Sequence, residues 1–214
     1  MKSKLLTIAF AAFAMMVAPQ AQGAISYALT FDGCTGGCGS GPFGSILLTV
    51  LDSQTIDVKV TLNPGFDFVN TGAGNAIQFR IIGDPVTISV ITPGFATAAP
   101  KTSGPLSGFN YAIECLNTAA GCGSGGSNPN PGPLEFTVFR ATGFGGISEA
   151  SLIGNNPTNN YFFSADIKGA GTGNTGNVFA GGTAVVVPEP LTMSLVGAGL
   201  FAIGFWKRKN RRSA

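Results

Sequence analysis

From Gln54 to Leu62 polar and apolar positions alternate without a break: Ile56, Val58, Val60 and Leu62 fall on one side, Thr55, Asp57, Lys59 and Thr61 on the other. A period of two marks a strand with one face on a core and the other toward water. Shorter runs of this kind lie at Ile25 to Phe31, Ser45 to Leu51, Ala76 to Ile82, Val86 to Ile91, Leu134 to Ala141 and Tyr161 to Ile167, with weaker ones at Phe109 to Cys115, Gly146 to Leu152 and Val178 to Val187. Between them stand Asn63-Pro64-Gly65, Thr92-Pro93-Gly94 and Asn128-Pro129-Asn130-Pro131-Gly132-Pro133, clusters that break strands and make turns. Asp52-Ser53, between two β-rich runs, predicts a two-residue hairpin turn. A helical period nowhere persists for three turns between residues 24 and 187. Eight to ten short strands in one such segment predict an all-β fold, an antiparallel β-sandwich of the jelly-roll kind. Thr92 to Ser107 and Ala119 to Pro133 are expected to be surface loops.

The two ends follow other patterns. Lys2 and Lys4 precede an uncharged run from Leu5 to Val17, then Pro19 and the small residues Ala21, Gly23 and Ala24. This is the plan of a signal peptide over residues 1–23, cleaved after Gly23 by signal peptidase. A helix of thirteen residues spans only about 20 Å, too short for a comfortable crossing. At the other end Pro188-Glu189-Pro190 leads into Leu191 to Trp206, sixteen residues without a charge, and then into a tail at 207–214 carrying Lys207, Arg208, Lys209, Arg211 and Arg212. The prolines keep the tripeptide extended. The apolar stretch predicts a transmembrane helix over 191–206, stopped by the basic cluster on the cytoplasmic side, so that residues 24–187 form a secreted domain.

The arrangement of Pro188, Glu189 and Pro190, a glycine-bearing apolar stretch (Gly197, Gly199, Gly204) and a terminal basic cluster resembles the sorting signal of the PEP-CTERM family of exported bacterial proteins. The resemblance covers about the last 27 residues, 188–214. It implies recognition by an exosortase, a membrane-embedded cysteine protease-transpeptidase, in a Gram-negative bacterium that makes exopolysaccharide. On this reading Pro188, Glu189 and Pro190 are substrate residues. The implied route passes through an inner-membrane intermediate to the outer surface or the extracellular matrix. Tyr161 to Gly169 is similar to the late strands that many such ectodomains carry before the tail.

Composition narrows the rest. Residues 24–187 hold five bases (Lys59, Arg80, Lys101, Arg140, Lys168) against nine acids, so about −4 faces any partner and nucleic acid is excluded. The chain has no histidine, which removes Ser-His-Asp and Cys-His hydrolases and His-ligated metals. Glycine supplies 28 of the 164 residues of this segment, about 17% against a usual 7%, so loops must be extensive. Cys34, Cys38, Cys115 and Cys122 are an even set in an exported chain, for which disulfides are the default; the simplest of three pairings joins Cys34 to Cys38 and Cys115 to Cys122. Neither spacing is that of a zinc knuckle.

Gly39-Ser40-Gly41-Pro42-Phe43-Gly44 satisfies G-x-G-x-x-G, but it enters a strand-like run and contains a proline, so it reads as a loop rather than a dinucleotide cradle. Asp57, Glu135 and Asp166 lie in strand candidates and Asp32, Asp67 and Asp84 near turns, where carboxylates mostly solvate a face or accept local hydrogen bonds. No cofactor is expected. Calcium is the ion for which oxygen ligands are at hand, in Asp67, Asn70, Asn75, Asp84 and Asp166, although no D-x-D-x-D-G loop frames them. The expectation is a non-enzymatic structural or adhesive protein of an exopolysaccharide matrix. Its alternatives are a carbohydrate-binding module and, behind that, a carboxylate-dependent glycosidase. Against a lectin stands the shortage of aromatic platforms: the single Trp is Trp206, and Phe79, Phe136 and Phe163 sit at core spacing.

Overall fold

A computed structural model describes residues 24–148, 156, 157, 159–182, 184–187 and 199. Gly23–Val187 form one compact unit. Its strands are β1 (Ala24–Asp32), β2 (Gly44–Val50), β3 (Thr55–Leu62), β4 (Asp67–Phe68), β5 (Ile77–Phe79), β6 (Thr87–Val90), β7 (Phe95–Ala98), β8 (Tyr111–Cys115), β9 (Leu134–Phe139), β10 (Tyr161–Lys168), β11 (Thr175–Gly181) and β12 (Val185–Val187), with a 3₁₀ turn at Gly104–Leu106. The fold is all-β, and the strand pairings are antiparallel.

The strand order is β6-β9-β3-β2-β1-β11-β10-β5-β8-β7, with β12 added to β1 and β4 to β10. The outermost strands of this path, β6 and β7, are consecutive in the chain and lie against each other, so the sheet curls until it nearly closes like a barrel. Closure of this kind leaves few unpaired edges.

The alternation in β3 appears as expected: Ile56, Val58 and Val60 are fully buried and Leu62 nearly so. Cross-strand pairing extends that face. Ile46, Leu48 and Val50 of β2 stand opposite Val60, Val58 and Ile56, and Leu134, Phe136 and Val138 of β9 oppose Val60, Val58 and Ile56 from the other side. From across the sheet come Phe79 of β5 and Phe163 of β10, paired in register. The Phe79 ring stacks on Phe136 at 5.4 Å although their strands are not neighbours, which places the core inside the curl.

The hairpin between β2 and β3 differs from the predicted two-residue turn. Val50 pairs with Ile56 and Leu51 N donates to Thr55 O, leaving Asp52-Ser53-Gln54 as a three-residue loop. Asp52 Oδ1 accepts the Gln54 N–H at 2.7 Å, a side chain doing the work of a turn. The reason is register: a two-residue turn at Asp52-Ser53 would set Ile46 opposite Lys59 and turn one strand's apolar face outward. Three further differences appear. Thr92 to Ser107, expected as a loop, contains β7, and the Val178 to Val187 run is two strands, β11 and β12, either side of Gly182. Gly146 to Ser148 carry no strand, and Glu149 to Leu152 lie outside the described residues.

Candidate functional site

The curled sheet has two chemically distinct ends. At one, β1 and β8 finish and the chain enters the loops that hold the four cysteines. Cys34 is bonded to Cys38 and Cys115 to Cys122, the simplest pairing. The first loop is clamped from within: Asp32 Oδ1 accepts the N–H of Cys34 and Oδ2 that of Cys38, both at 2.9 Å. Asn174 Nδ2 donates to the carbonyls of Gly36 and Gly37 at 3.1 and 2.9 Å, binding the loop to the turn before β11. Gly36 and Gly37 sit at φ +81° and +79°, which only glycine adopts cheaply. Asp32, Cys34 and Cys38 have the proximity of a metal set. However, the two sulfurs are bonded to each other and both carboxylate oxygens are taken by backbone N–H groups, so the group works as a turn clamp. The Gly39 to Gly44 segment joins β1 to β2 in this region, a loop running into a strand.

At the opposite end Ala24 begins β1 and Val187 finishes β12, and the two are paired antiparallel, Ala24 with Val187 and Ser26 with Val185. The point after the expected signal-peptidase cut and the point before the expected sorting motif are thus cross-strand neighbours. Pro188, Glu189, Pro190, Lys207, Arg208, Lys209, Arg211 and Arg212, like the signal peptide at 1–23 and, apart from Gly199, the expected membrane helix at 191–206, lie outside the described residues.

Sequence reasoning missed a third place. On β10, Phe163, Ala165 and Ile167 face the core, so Ser164 and Asp166 point to the outer face of the sheet, yet both are fully buried. The segment from Thr71 to Asn75 lies against Asp166, and the segment from Ala99 to Leu106 is fastened to this cover. Gln78 of β5, opposite Ser164, accepts from Lys101 N and from Asn75 Nδ2, and Asn75 also donates to Ala99 O at 3.0 Å. Leu106 and Phe109 complete the cover by packing on Phe179, whose ring stacks on Tyr161 at 4.5 Å. Asp166 Oδ2 accepts from Thr71 Oγ1 at 2.7 Å, while Oδ1 is buried without a partner, as is Gln78 Nε2. Burial raises the Asp166 pKa, opposed by the Thr71 hydroxyl, the N–H groups of Thr71 and Gly74, and the charge of Lys101. Beside this layer opens a crevice of about 310 Å³ lined by Gly33, Ala73, Ser103, Gly104, Asn177 and Phe179. Asn177 links the two, since its Oδ1 accepts from Ser164 Oγ at 3.4 Å.

No known protein family, characterised protein or solved structure matches the chain.

The remaining carboxylates separate. Asp57 and Glu135 share the outward face of β3 and β9, with Lys59 bridging to Glu135 Oε1 at 2.5 Å. Partial burial, then the charge of Glu135, raises Asp57 while Lys59 lowers it. Of the oxygen donors named for calcium, Asp67 pairs with Lys168 in the β4–β10 ladder, and Asn70 donates to Cys115 O at 2.7 Å. Asn75 Nδ2 donates to Gln78 Oε1 and Ala99 O, and Asp84 is exposed in the β5–β6 loop at the end where β1 begins. The structure therefore spreads these donors over several places. Of the aromatic residues read as core, Phe79, Phe136 and Phe163 are all fully buried.

Proposed function

We propose that this chain is an exported, non-enzymatic surface or extracellular-matrix protein, a PEP-CTERM-type exosortase substrate whose role in exopolysaccharide is structural or adhesive. The observation that carries the reading is the pairing of Ala24 with Val187. Both expected processing points flank the compact unit, so removal of a leader and of a tail leaves every described strand whole. Two disulfides fit an oxidising compartment. On this reading signal peptidase removes residues 1–23 and the inner membrane holds the intermediate through 191–206. The exosortase then recognises Pro188, Glu189 and Pro190, and Lys207, Arg208, Lys209, Arg211 and Arg212 keep the tail from translocating. The curled sheet is then a flattened jelly-roll sandwich, whose surface, poor in charge and rich in Gly, Asn, Ser and Thr, hydrates and hydrogen-bonds with polysaccharide.

The test is the intact mass of the protein from extracellular and membrane fractions, for the native chain and for Glu189→Ala. A native mass running from Ala24 to near Pro188, with Glu189→Ala retained unprocessed in the membrane, is the expected result. A native mass that keeps residues 191–214 in every fraction, or unchanged release of the variant, refutes the sorting role.

A second reading, a carbohydrate-binding module, is favoured by the crevice at Asn177 and Phe179, where an amide, the Ser103 hydroxyl and glycine backbone stand beside an aromatic ring. Binding of the host exopolysaccharide that is lost in Asn177→Leu would favour it over the structural role.

A further inference from the structure

Seven of the nine large apolar side chains exposed among the described residues gather at the end of the sheet where the chain enters and leaves: Leu51, Ile82, Phe139, Phe144, Val185, Val186 and Val187. Their arrangement is built, not incidental. Arg140, 4% exposed, fastens three loops there: its backbone N–H donates to Gln54 O at 2.9 Å, Nη1 to Gly146 O at 3.1 Å and Nη2 to Ile82 O at 3.2 Å. Ile147 N donates to Ser53 O at 2.9 Å, tying the third loop to the first. The Arg140 guanidinium fastens the loops of Ile82 and Phe144 and its backbone N–H the loop of Leu51, and these three side chains stand outward at 55, 49 and 56% exposure. The register sets the end of β2, just before Leu51, beside Ala24 and Val187, because Ala24 pairs with both Thr49 and Val187.

We propose that this end of the domain docks on a lipid bilayer surface while the tail is still attached. The inference rests on the tail being inserted in a membrane. Only Pro188, Glu189 and Pro190 separate Val187 from the apolar run that begins at Leu191. The four Cα steps from Val187 to Leu191 reach at most about 14 Å, so the tether keeps the end of β12 within several ångströms of a headgroup layer about 5–7 Å thick, and burial of the apolar loops that share this end decides whether they enter it. The described charges here are the exposed Asp52 and Asp84, the half-exposed Arg80 and the buried Arg140. Among the described residues no cationic cluster faces the lipid at this end, so apolar burial drives the docking. The contact holds the Pro188-Glu189-Pro190 segment at the membrane surface, where a membrane-embedded processing enzyme works.

The test uses the full chain, disulfides intact, in phosphatidylcholine vesicles carrying a quencher at headgroup level. A fluorophore is attached to Phe144→Cys or, at the opposite end, to Ser40→Cys. The seven residues of β2 separate the two ends by about 23 Å. The expected result is flotation with the vesicles, quenching of the probe at 144 and none at 40, unchanged by salt or by added anionic lipid. Leu51→Ser with Ile82→Ser should abolish the quenching and leave flotation intact. A floating chain whose two probes are quenched alike, or whose quenching survives the double variant, overturns the docking and leaves the tail reading standing. A chain that does not float overturns both.

Discussion

Replacing Asp166 by Asn tests the buried polar layer on the outer face of the sheet. Asp166 is fully buried; Oδ2 accepts from the Thr71 hydroxyl at 2.7 Å and the Thr71 N–H at 3.4 Å, with the Gly74 N–H also favouring the carboxylate, while Oδ1 has no partner at hydrogen-bond distance. An ionised carboxylate in such a place costs several kcal/mol of desolvation, only partly offset by hydrogen bonds to a charged acceptor worth about 1.5–3 kcal/mol each. Asparagine keeps the acceptor for Thr71 and removes the charge. The sign follows from linkage: burial raises the folded-state pKa above the unfolded value near 3.9, so the native state binds more protons in between. Asp166 therefore contributes fully to stability below the unfolded pKa, and that contribution fades as pH rises through the folded one. The expected outcome is that Asp166→Asn is less stable than the native protein at acidic pH and equals or exceeds it at neutral pH. Within the window between the two pKa values the difference shifts by about 1.4 kcal/mol per pH unit. Equilibrium urea unfolding, followed by near-ultraviolet circular dichroism at a series of pH values, reads this directly. A difference independent of pH, or a variant that loses more at neutral than at acidic pH, refutes the reasoning.

Alkylation of the folded protein should label no cysteine until a reductant is added. Loss of either disulfide, as in Cys34→Ser with Cys38→Ser or Cys115→Ser with Cys122→Ser, should cost about 2–2.5 kcal/mol from loop entropy, measured by urea unfolding. Phe163→Ala removes a ring packed among Tyr27 and Phe79 and should cost about 3–5 kcal/mol, whereas Phe144→Ala, on an exposed turn, should change stability by less than about 0.5 kcal/mol. Gly74→Ala should destabilise as well, since a Cβ there overlaps Asn177 Oδ1 and presses on Asp166 Cβ; the same unfolding assay on the double variant with Asn177→Gly should recover part of the loss.

How far the sequence could be read depended on whether a signal was local. Alternation from Thr55 to Leu62 was legible because each side chain reports its own face, and Phe79, Phe136 and Phe163 declared themselves as core by spacing. β7 was not legible: Phe95-Ala96-Thr97-Ala98 carries one strong apolar residue, and its strand character comes from the ladder to β8. β11 starts at Thr175, three residues before the apolar run at Val178, for the same reason.

What the sequence by itself determined is the all-β class, the contrast between two base-flanked apolar ends and the strand-patterned middle, the nearest-neighbour cysteine pairing as the simplest option, and the lack of imidazole chemistry. All of these follow from composition, period or short spacing. What only the tertiary structure decided is which polar residues are buried and which apolar ones meet. Asp166 looks like part of a solvated face until the segment from Thr71 to Asn75 folds against it, itself tied to Ala99. Leu51, Ile82 and Phe144 look like scattered surface residues until Arg140 draws their loops to one end beside Ala24 and Val187. The physical reason is the same in each case. Strand faces are written in adjacent residues, whereas burial of an outer face and assembly of an apolar end depend on segments tens of residues away in the chain, brought together only when the sheet curls on itself.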